Sequence, residues 1–98
     1  MQRVTESFER QTMMQTLGAE LTCVRAGHVE ITAPILAGSQ QQHGYAHAAL
    51  IFAIGDSAAG YAALSVMPDG FEVLTAEMKI NLLAPGRDGL LRAVGTVE

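Results

Sequence analysis

The sequence predicts an α+β domain in which an antiparallel sheet wraps around one long buried helix. The stretch from about Ala46 to Val66 carries Ala and Gly on several faces, whereas an amphipathic surface helix would show a wider polar face. Between about Phe71 and Ala84, apolar and polar residues alternate with the period of a β-strand. Two shorter strand patterns precede the long helix, and one more strand pattern ends the sequence. This order of elements is typical of an α+β fold.

The remaining elements are bounded by cap and turn residues. Ser7 is a suitable N-cap and Gly18 a suitable C′ residue for a first helix, and Ala26-Gly27 is a turn between two strands. The polar residues 38–44 predict a loop before the long helix. The predicted bounds are about Ser7 to Leu17 for the first helix, Leu21 to Arg25 and Val29 to Ala33 for the two strands, and Leu90 to Glu98 for the last strand. The second strand carries its apolar residues on one face, at Val29, Ile31 and Ala33.

Length and composition limit the classes of protein to which the chain can belong. Its 98 residues form at most one domain, and a hydrophobic content of 49% argues against disorder. The net charge of −4 argues against nucleic acid or an anionic membrane as a partner, because both are bound by basic patches. The N-terminus has no apolar signal-peptide core, and the single cysteine, Cys23, fits a reducing cytoplasm. Asp56 and other polar residues interrupt the long apolar stretch, which predicts a buried helix rather than a membrane span.

Polar residues in and before the long helix are the candidates for function. Asp56 lies mid-helix among Ala, Ile and Gly, where burial would make an unpaired carboxylate costly; it either serves a function or reaches solvent or a partner's donor. His43 and His47 have i, i+4 spacing, but zinc would need a third ligand, so we expect no metal there. His47 is expected to cap or pack near the helix start, whose free N–H groups suit an anion or a polarised carbonyl.

Three segments of the chain resemble the PaaI-like thioesterases, a family of hotdog-fold enzymes. The stretches Gln41 to Ala49 (QQHGYAHAA) and Asp56 to Ala63 (DSAAGYAA) are similar to the signature of the family's central helix. The stretch Leu74 to Pro85 (LTAEMKINLLAP) is similar to the strand that follows that helix. The leading Phe8, Gln11 and Leu17-Gly18-Ala19 also fit. The resemblance covers nearly the whole chain and implies the hotdog fold, an antiparallel sheet wrapped around a long central helix.

The resemblance also sets a register for the site. The family's His-Gly-Gly tripeptide could correspond to His43-Gly44-Tyr45, but His47-Ala48-Ala49 places Asp56 nine residues after the histidine, which is the family's spacing. Ala48-Ala49 then replace the common Gly-Gly or Ala-Gly. The hotdog fold normally continues with two more long strands. We therefore expect residues 1–98 to be a single domain that is truncated at the C-terminus.

The activity that the resemblance implies is hydrolysis of an acyl-CoA thioester to a free acid and CoA. The backbone N–H of Ala48 would polarise the carbonyl, and Asp56 would act as general base or as nucleophile. Gln41, where the family has Asn or Gln, would donate a second hydrogen bond or orient water. Thr75, where some members have Ser or Thr, would position the water, and His47 would order the loop before the helix.

Further residues are expected to bind the substrate, and no cofactor or metal is expected. The substrate-binding residues are Gly44, Ala49, Lys79, Asn81 and Arg87, and the candidate cations for the CoA phosphates are Lys79, Arg87 and Arg92. A cytoplasmic homodimer or dimer of dimers is implied. Two alternatives use the same fold: a non-catalytic acyl-CoA-binding or assembly module, and a hydratase-type enzyme, which would need an Asp/His pair nearer the helix start.

A distance argument predicts that each site is shared by two subunits. His47 and Asp56 are nine residues apart, which is roughly 13–14 Å along a helix axis. A carbonyl held at Ala48 cannot be attacked through Asp56 of the same chain, because reacting groups must lie about 3 Å apart or be bridged by one water. A two-fold axis beside the helix would bring Asp56 of one chain to the helix start of the other.

Overall fold

The computed structural model describes residues 2–42, 47–66, 76–82 and 89–97. In chain order the elements are α1 (Gln2–Glu9), α2 (Thr12–Thr16), β1 (Glu20–Arg25), β2 (His28–Pro34), a 3-10 turn (Ala37–Ser39), α3 (Ala48–Val66), β3 (Ala76–Leu82) and β4 (Leu90–Val97). The strands form one antiparallel sheet in the order β1-β2-β4-β3. The long helix α3 packs on one face of this sheet, as the predicted fold class requires.

The core lies between α3 and the inner face of the sheet. Alternate residues of β2 and β4 are buried there, as the strand periodicity predicted: Val29, Ile31, Ala33, Leu91 and Ala93. From α3 come Leu50, Ile54, Ala58 and Ala62. By length and composition alone α3 could cross a membrane, but in this fold it is the central helix, and the sheet removes from water the apolar side chains on the face that packs against it.

The helix and the sheet approach each other closely at Gly95 of β4. A Cβ added to Gly95 would lie 2.1 Å from the carbonyl oxygen of Ala58 and 2.6 Å from the backbone nitrogen of Ala59. Both distances are far below van der Waals contact, so no larger residue fits without moving the backbone. The Ala- and Gly-rich composition of the helix predicted such close packing, which is confirmed. Gly95 therefore sets the depth at which α3 sits on the sheet.

The prediction of one N-terminal helix from Ser7 to Leu17 is wrong. The structure has α1 and α2, separated at Gln11, whose backbone is extended with φ −81° and ψ 96°. Ser7 therefore lies inside α1 and is not an N-cap. The break allows each short helix to bury one apolar residue in the core, Val4 from α1 and Met14 from α2.

Tyr61 of α3 holds the two short helices in place. The side-chain amide of Gln11 donates a 2.6 Å hydrogen bond to the Tyr61 hydroxyl oxygen, and Ser7 Oγ lies 3.1 Å from the same oxygen. Phe8 meets the Tyr61 ring edge-on, with ring centroids 6.3 Å apart and an interplanar angle of 65°. These contacts fix α2 alongside α3, which creates the groove described below.

The predicted turn and cap glycines are confirmed, and the loop before α3 is more ordered than predicted. Gly18 and Gly27 have φ of +69° and +75°, at the C′ position after α2 and in the β1–β2 turn. Ser39 ends the 3-10 turn, and its carbonyl oxygen accepts a 2.9 Å hydrogen bond from the N–H of His47. The rest of that loop, residues 43–46, and the start of the strand predicted from Phe71 lie outside the described residues.

The outer face of the sheet carries polar side chains. His28 Nε2 donates a 2.8 Å hydrogen bond to Glu30 Oε2, and Arg92 Nε lies 3.7 Å from Glu30 Oε1. The His28 hydrogen bond, followed by the neighbouring positive charges, holds the pKa of the Glu30 carboxyl below its ordinary value. These residues belong to the face that is turned away from α3.

Candidate active site

The first turn of α3 is organised by His47, the residue immediately before the helix. Its carbonyl oxygen accepts hydrogen bonds from the N–H groups of Leu50 at 3.0 Å and Ile51 at 3.3 Å. Its Nδ1 accepts a 2.9 Å hydrogen bond from the N–H of Ala49. His47 therefore acts as the N-cap, with an imidazole where Ser or Asp would be usual. Because Nδ1 is the acceptor, the neutral ring carries its proton on Nε2.

The N–H of Ala48 has no acceptor among the residues that the structure describes. It is the first N–H of the helix, and an α-helix offers no internal partner at that position. The three donors that follow it, from Ala49, Leu50 and Ile51, are all bonded to His47. Ala48 is also exposed. The helix start thus presents one directed N–H, at the positive end of the helix dipole, to a carbonyl oxygen or an anion.

A groove follows α3 from its start to Asp56, between the exposed face of the helix and α2. The part at the helix start is bordered by His47, Ala49 and Met13 of α2. The next part is bordered by Met13 and Ala49 again, and then by Phe52 and Asp56. The two parts adjoin because they share Met13 and Ala49. The groove therefore has apolar walls and a carboxylate at its far end.

The exposed face of α3 combines apolar surface with that carboxylate. The side chain of Phe52 is 63% accessible, and Met13 across the groove is 52% accessible. Large apolar side chains this exposed, next to each other, are typical of a binding surface. Asp56 is exposed as well. The single chain therefore does not bury this carboxylate, and a catalytic role for Asp56 stays a prediction.

Ala48 and Asp56 lie eight residues apart on one continuous helix. This corresponds to roughly 12 Å along the axis. A carbonyl bound at the N–H of Ala48 is therefore out of reach of Asp56 in the same chain, even through one bridging water. The described residues of one chain thus hold a backbone N–H donor and a carboxylate at separate places along the helix.

Comparison with known proteins identifies the family. The sequence model of the thioesterase superfamily matches residues 43–98, which include Ala48 and Asp56. The chain belongs to the thioesterase superfamily. A search of curated proteins finds no match.

Solved structures agree with this assignment. A thioesterase family protein from Silicibacter pomeroyi is 30% identical, with a TM-score of 0.68, and the alignment covers 98% of this thioesterase and 95% of that chain. The Escherichia coli PaaI protein from the phenylacetic acid degradation operon is 18% identical, with a TM-score of 0.66 and coverage of 99% and 91%. A Haemophilus influenzae thioesterase is 21% identical, with a TM-score of 0.67, and this chain spans 92% of its own length and 63% of that protein. The last two likenesses show the fold alone. The resemblance to PaaI-like thioesterases and the hotdog fold are confirmed.

Four predicted site residues of the thioesterase lie on α3 or directly before it: His47, Ala48 and Ala49 are close together at the helix start, and Asp56 is separated from them along the helix. Three others lie outside the described residues, namely Gly44, Thr75 and Arg87. Gln41 is partly exposed, and its neighbour Gln40 is the residue that borders the groove.

The predicted substrate-binding residues of the sheet lie on neighbouring strands. Lys79 and Asn81 are in β3, where their backbone partners on β4 are Val94 and Arg92. Arg92 lies beside Glu30 on the outer face of the sheet, away from the groove. Asn81 is the register partner of Arg92, so the strand positions do not separate one candidate from another, and Lys79, Asn81, Arg87 and Arg92 all stay predicted contacts of the substrate.

Sequence reasoning missed Phe52 and Met13, the two most exposed large apolar residues that border the groove. The spacing of the sequence could have indicated Phe52, because it lies four residues after Ala48 and four before Asp56 and therefore on the same face of the helix. Nothing in the spacing indicated Met13. It reaches the groove only because Tyr61 holds α2 against α3, a contact between distant parts of the chain.

Proposed function

We propose that this thioesterase hydrolyses acyl-CoA to a free acid and CoA in the cytoplasm. The observation that carries the proposal is the presence, on one exposed helix face, of a first-turn N–H at Ala48, which has no acceptor within the described part of the chain, and of the carboxylate of Asp56. The apolar walls of the groove, with Phe52 and Met13, suit an acyl group and do not select between aryl and alkyl chains. Lys79 and Arg87 are the cations proposed for the CoA phosphates, with Gly44 and Asn81 as further contacts.

In the proposed reaction, the Ala48 N–H donates to the thioester oxygen and stabilises the negative charge that develops there. Asp56 either takes a proton from a water that attacks the carbonyl carbon, or attacks that carbon itself and forms an anhydride that water then opens. In both routes the C–S bond breaks, and the CoA thiolate leaves and is protonated. Gln41 and Thr75 are proposed to hold the attacking water, and His47 holds the Ala48 turn in shape.

The two groups meet only if a second chain completes the site. We propose a homodimer, or a dimer of dimers, in which two α3 helices lie antiparallel beside a two-fold axis. Asp56 of one chain then faces Ala48 of the other, and each pair of chains has two sites. The exposed Phe52 lies midway between these groups, so that it would be covered in such a pair.

The direct test is Asp56→Asn, assayed with a panel of aryl- and alkyl-CoA substrates. The change is nearly isosteric at an exposed position, so the fold should persist while turnover falls about 10²–10⁴-fold. Glu6→Gln, which removes a carboxylate from an exposed position of α1, is the matched control and should keep parental turnover. Parental activity of Asp56→Asn would rule out its role. A parent protein that binds acyl-CoA without hydrolysing it would favour the alternative, a non-catalytic acyl-CoA-binding or assembly module.

Complementation tests the shared site. Chains with Asp56→Asn and chains with Ala48→Pro, which lacks the N–H, should each be inactive, and should regain activity when dissociated and mixed. Random re-pairing makes about half of the dimers mixed, each with one intact site of two, so activity should approach roughly a quarter of the parent value. Mixed dimers confirmed by mass spectrometry but without activity would place the whole site in one subunit.

A further inference from the structure

Three potential metal ligands lie together on the outer face of the β1–β2 hairpin. The Cys23 sulfur, the His28 imidazole and the Glu30 carboxylate each offer one ligand atom, and these atoms lie within 4.8 Å of one another. All three residues are partly buried. The nearest pair, His28 Nε2 and Glu30 Oε2, is 2.8 Å apart.

The pairing of β1 with β2 brings these three residues together, whichever side-chain rotamers they adopt. The turn at Ala26-Gly27 sets Arg25 opposite His28, so that Cys23 comes opposite Glu30. His28 and Glu30 are two residues apart on one strand and therefore project from the same face. β2 is paired on both sides, to β1 and β4. The ligands thus stand on a rigid support, as a metal site requires.

The set has the composition and the spacing of a zinc site. Thiolate sulfur, imidazole nitrogen and carboxylate oxygen are the three ligand types that Zn²⁺ takes in proteins, and three protein ligands with an open fourth position are a common arrangement. A tetrahedral Zn²⁺ separates its ligand atoms by about 3.3–3.6 Å. The observed separations, from 2.8 Å up to the 4.8 Å limit, bracket that range. Side-chain rotations are enough to close the site.

The surroundings of Glu30 support a ligand role for its carboxylate. One oxygen, Oε2, faces His28, and the other, Oε1, faces Arg92 Nε at 3.7 Å. Arg92 Nε is buried and has no hydrogen-bond partner among the described residues. Carboxylates that bind a metal through one oxygen are commonly oriented through the other. Arg92 is placed to do this without occupying the metal position.

We propose that Cys23, His28 and Glu30 bind Zn²⁺ on the outer face of the sheet, with water as the fourth ligand. The site is separate from the groove, because Val29 and Ile31, which alternate with the ligands on β2, face α3. Its role is structural. β1 is an edge strand of the described sheet. The metal ties it to β2 and raises the stability of the folded chain, and the gain grows with the logarithm of the free Zn²⁺ concentration once that concentration exceeds Kd.

The test uses the full chain, stripped with a chelator and titrated with Zn²⁺. Calorimetry should give one ion per chain, and melting should shift upward with Zn²⁺ concentration. Since Cys23 is the single cysteine, Zn²⁺ should also slow its alkylation by iodoacetamide. Co²⁺ in place of Zn²⁺ should show a thiolate-to-metal charge-transfer band in the unchanged protein, a result that requires no variant.

Single variants identify the ligands. Cys23→Ser, His28→Gln and Glu30→Gln should each weaken Zn²⁺ binding by more than the about 10–100-fold that loss of an outer-shell partner costs. Glu20→Gln, on β1 but outside the cluster, is the control and should bind like the parent. If His28→Gln and Glu30→Gln leave the protection of Cys23 unchanged, if Glu20→Gln is equally impaired, or if Co²⁺ gives no thiolate band, the three residues form only an ion pair beside a thiol, and the proposal is overturned.

Discussion

Ala48→Pro removes the backbone N–H of residue 48 from the proposed site and changes little else. The proline nitrogen carries no hydrogen, so the substitution deletes the N–H that is proposed to hold the thioester oxygen. Proline is favoured at the first position of a helix, because that N–H has no internal partner and the fixed φ suits the helix. Ala48 is at this position and is exposed, so the ring meets no core residue there.

Ala48→Pro is expected to leave the stability of the fold almost unchanged and to lower kcat strongly. No hydrogen bond to Ala48 N–H exists among the described residues, so the free energy of unfolding should stay within about 0.5 kcal/mol of the parent. Loss of one donor to a developing oxyanion costs about 2.7–4 kcal/mol, which is about 10²–10³-fold in kcat. A variant that melts like the parent but turns over acyl-CoA a hundred times more slowly is therefore the predicted result.

Ala48→Gly is the matched control, because it changes the same side chain and keeps the N–H. Both variants are assayed for kcat and KM with acyl-CoA and for melting temperature. Ala48→Gly should keep kcat within a few-fold of the parent, with at most a small loss of helix stability of about 1 kcal/mol. If Ala48→Pro also keeps parental kcat, the carbonyl is polarised elsewhere, and the assignment of the α3 start as the oxyanion site is refuted.

Two further predictions concern the scaffold. Gly95→Ala should lower the free energy of unfolding by about 3 kcal/mol or more, seen as a loss of roughly 12 °C or more in melting temperature, because the added Cβ would overlap Ala58. Gly38→Ala is the control: its added Cβ meets no atom within 4 Å, so this variant should melt at or above the parent temperature. Similar melting of both variants would show that the helix can move away from the sheet. Tyr61→Phe should destabilise the fold by about 1–3 kcal/mol, because the Gln11 amide loses its partly buried acceptor. Amide hydrogen exchange should increase first in α1 and α2. An equal increase throughout the described chain would mean that Tyr61 does not hold these helices.

The parts of the fold that local chemistry decides were predictable. Alternation placed Val29, Ile31 and Ala33 on the buried face, and a glycine after the second helix marked its end at Gly18. The Cys23–His28–Glu30 cluster was also within reach, because a two-residue turn at Ala26-Gly27 already fixes which residues of a hairpin stand opposite each other.

What could not be predicted depends on contacts between distant segments. The break at Gln11 accompanies a hydrogen bond to Tyr61, fifty positions along the chain, and no propensity in residues 7–17 signals that contact. The apolar residues Phe8, Met14 and Leu17 fit the stripe of one helix, since each of them packs in or against the core. The exposure of Asp56 could not be predicted for the same reason. A helix rich in small residues can be covered on all its faces or can keep one face exposed, and the sequence of the helix does not distinguish these cases.

The exposed ridge of α3 supports the proposal that a second chain completes the site. One could suppose instead that α3 shifts or bends so that its own Asp56 reaches a thioester held at Ala48. The packing opposes this, because Gly95 lets the helix backbone sit directly on β4, and a sliding motion would drive Ala58 and Ala59 into the strand. An α-helix also cannot shorten: eight residues keep roughly 12 Å between the two groups as long as the helix exists. With the proposed donor at the start of α3 and the proposed carboxylate near its middle, a copy of the helix in the opposite direction is the arrangement that we propose brings the two groups together.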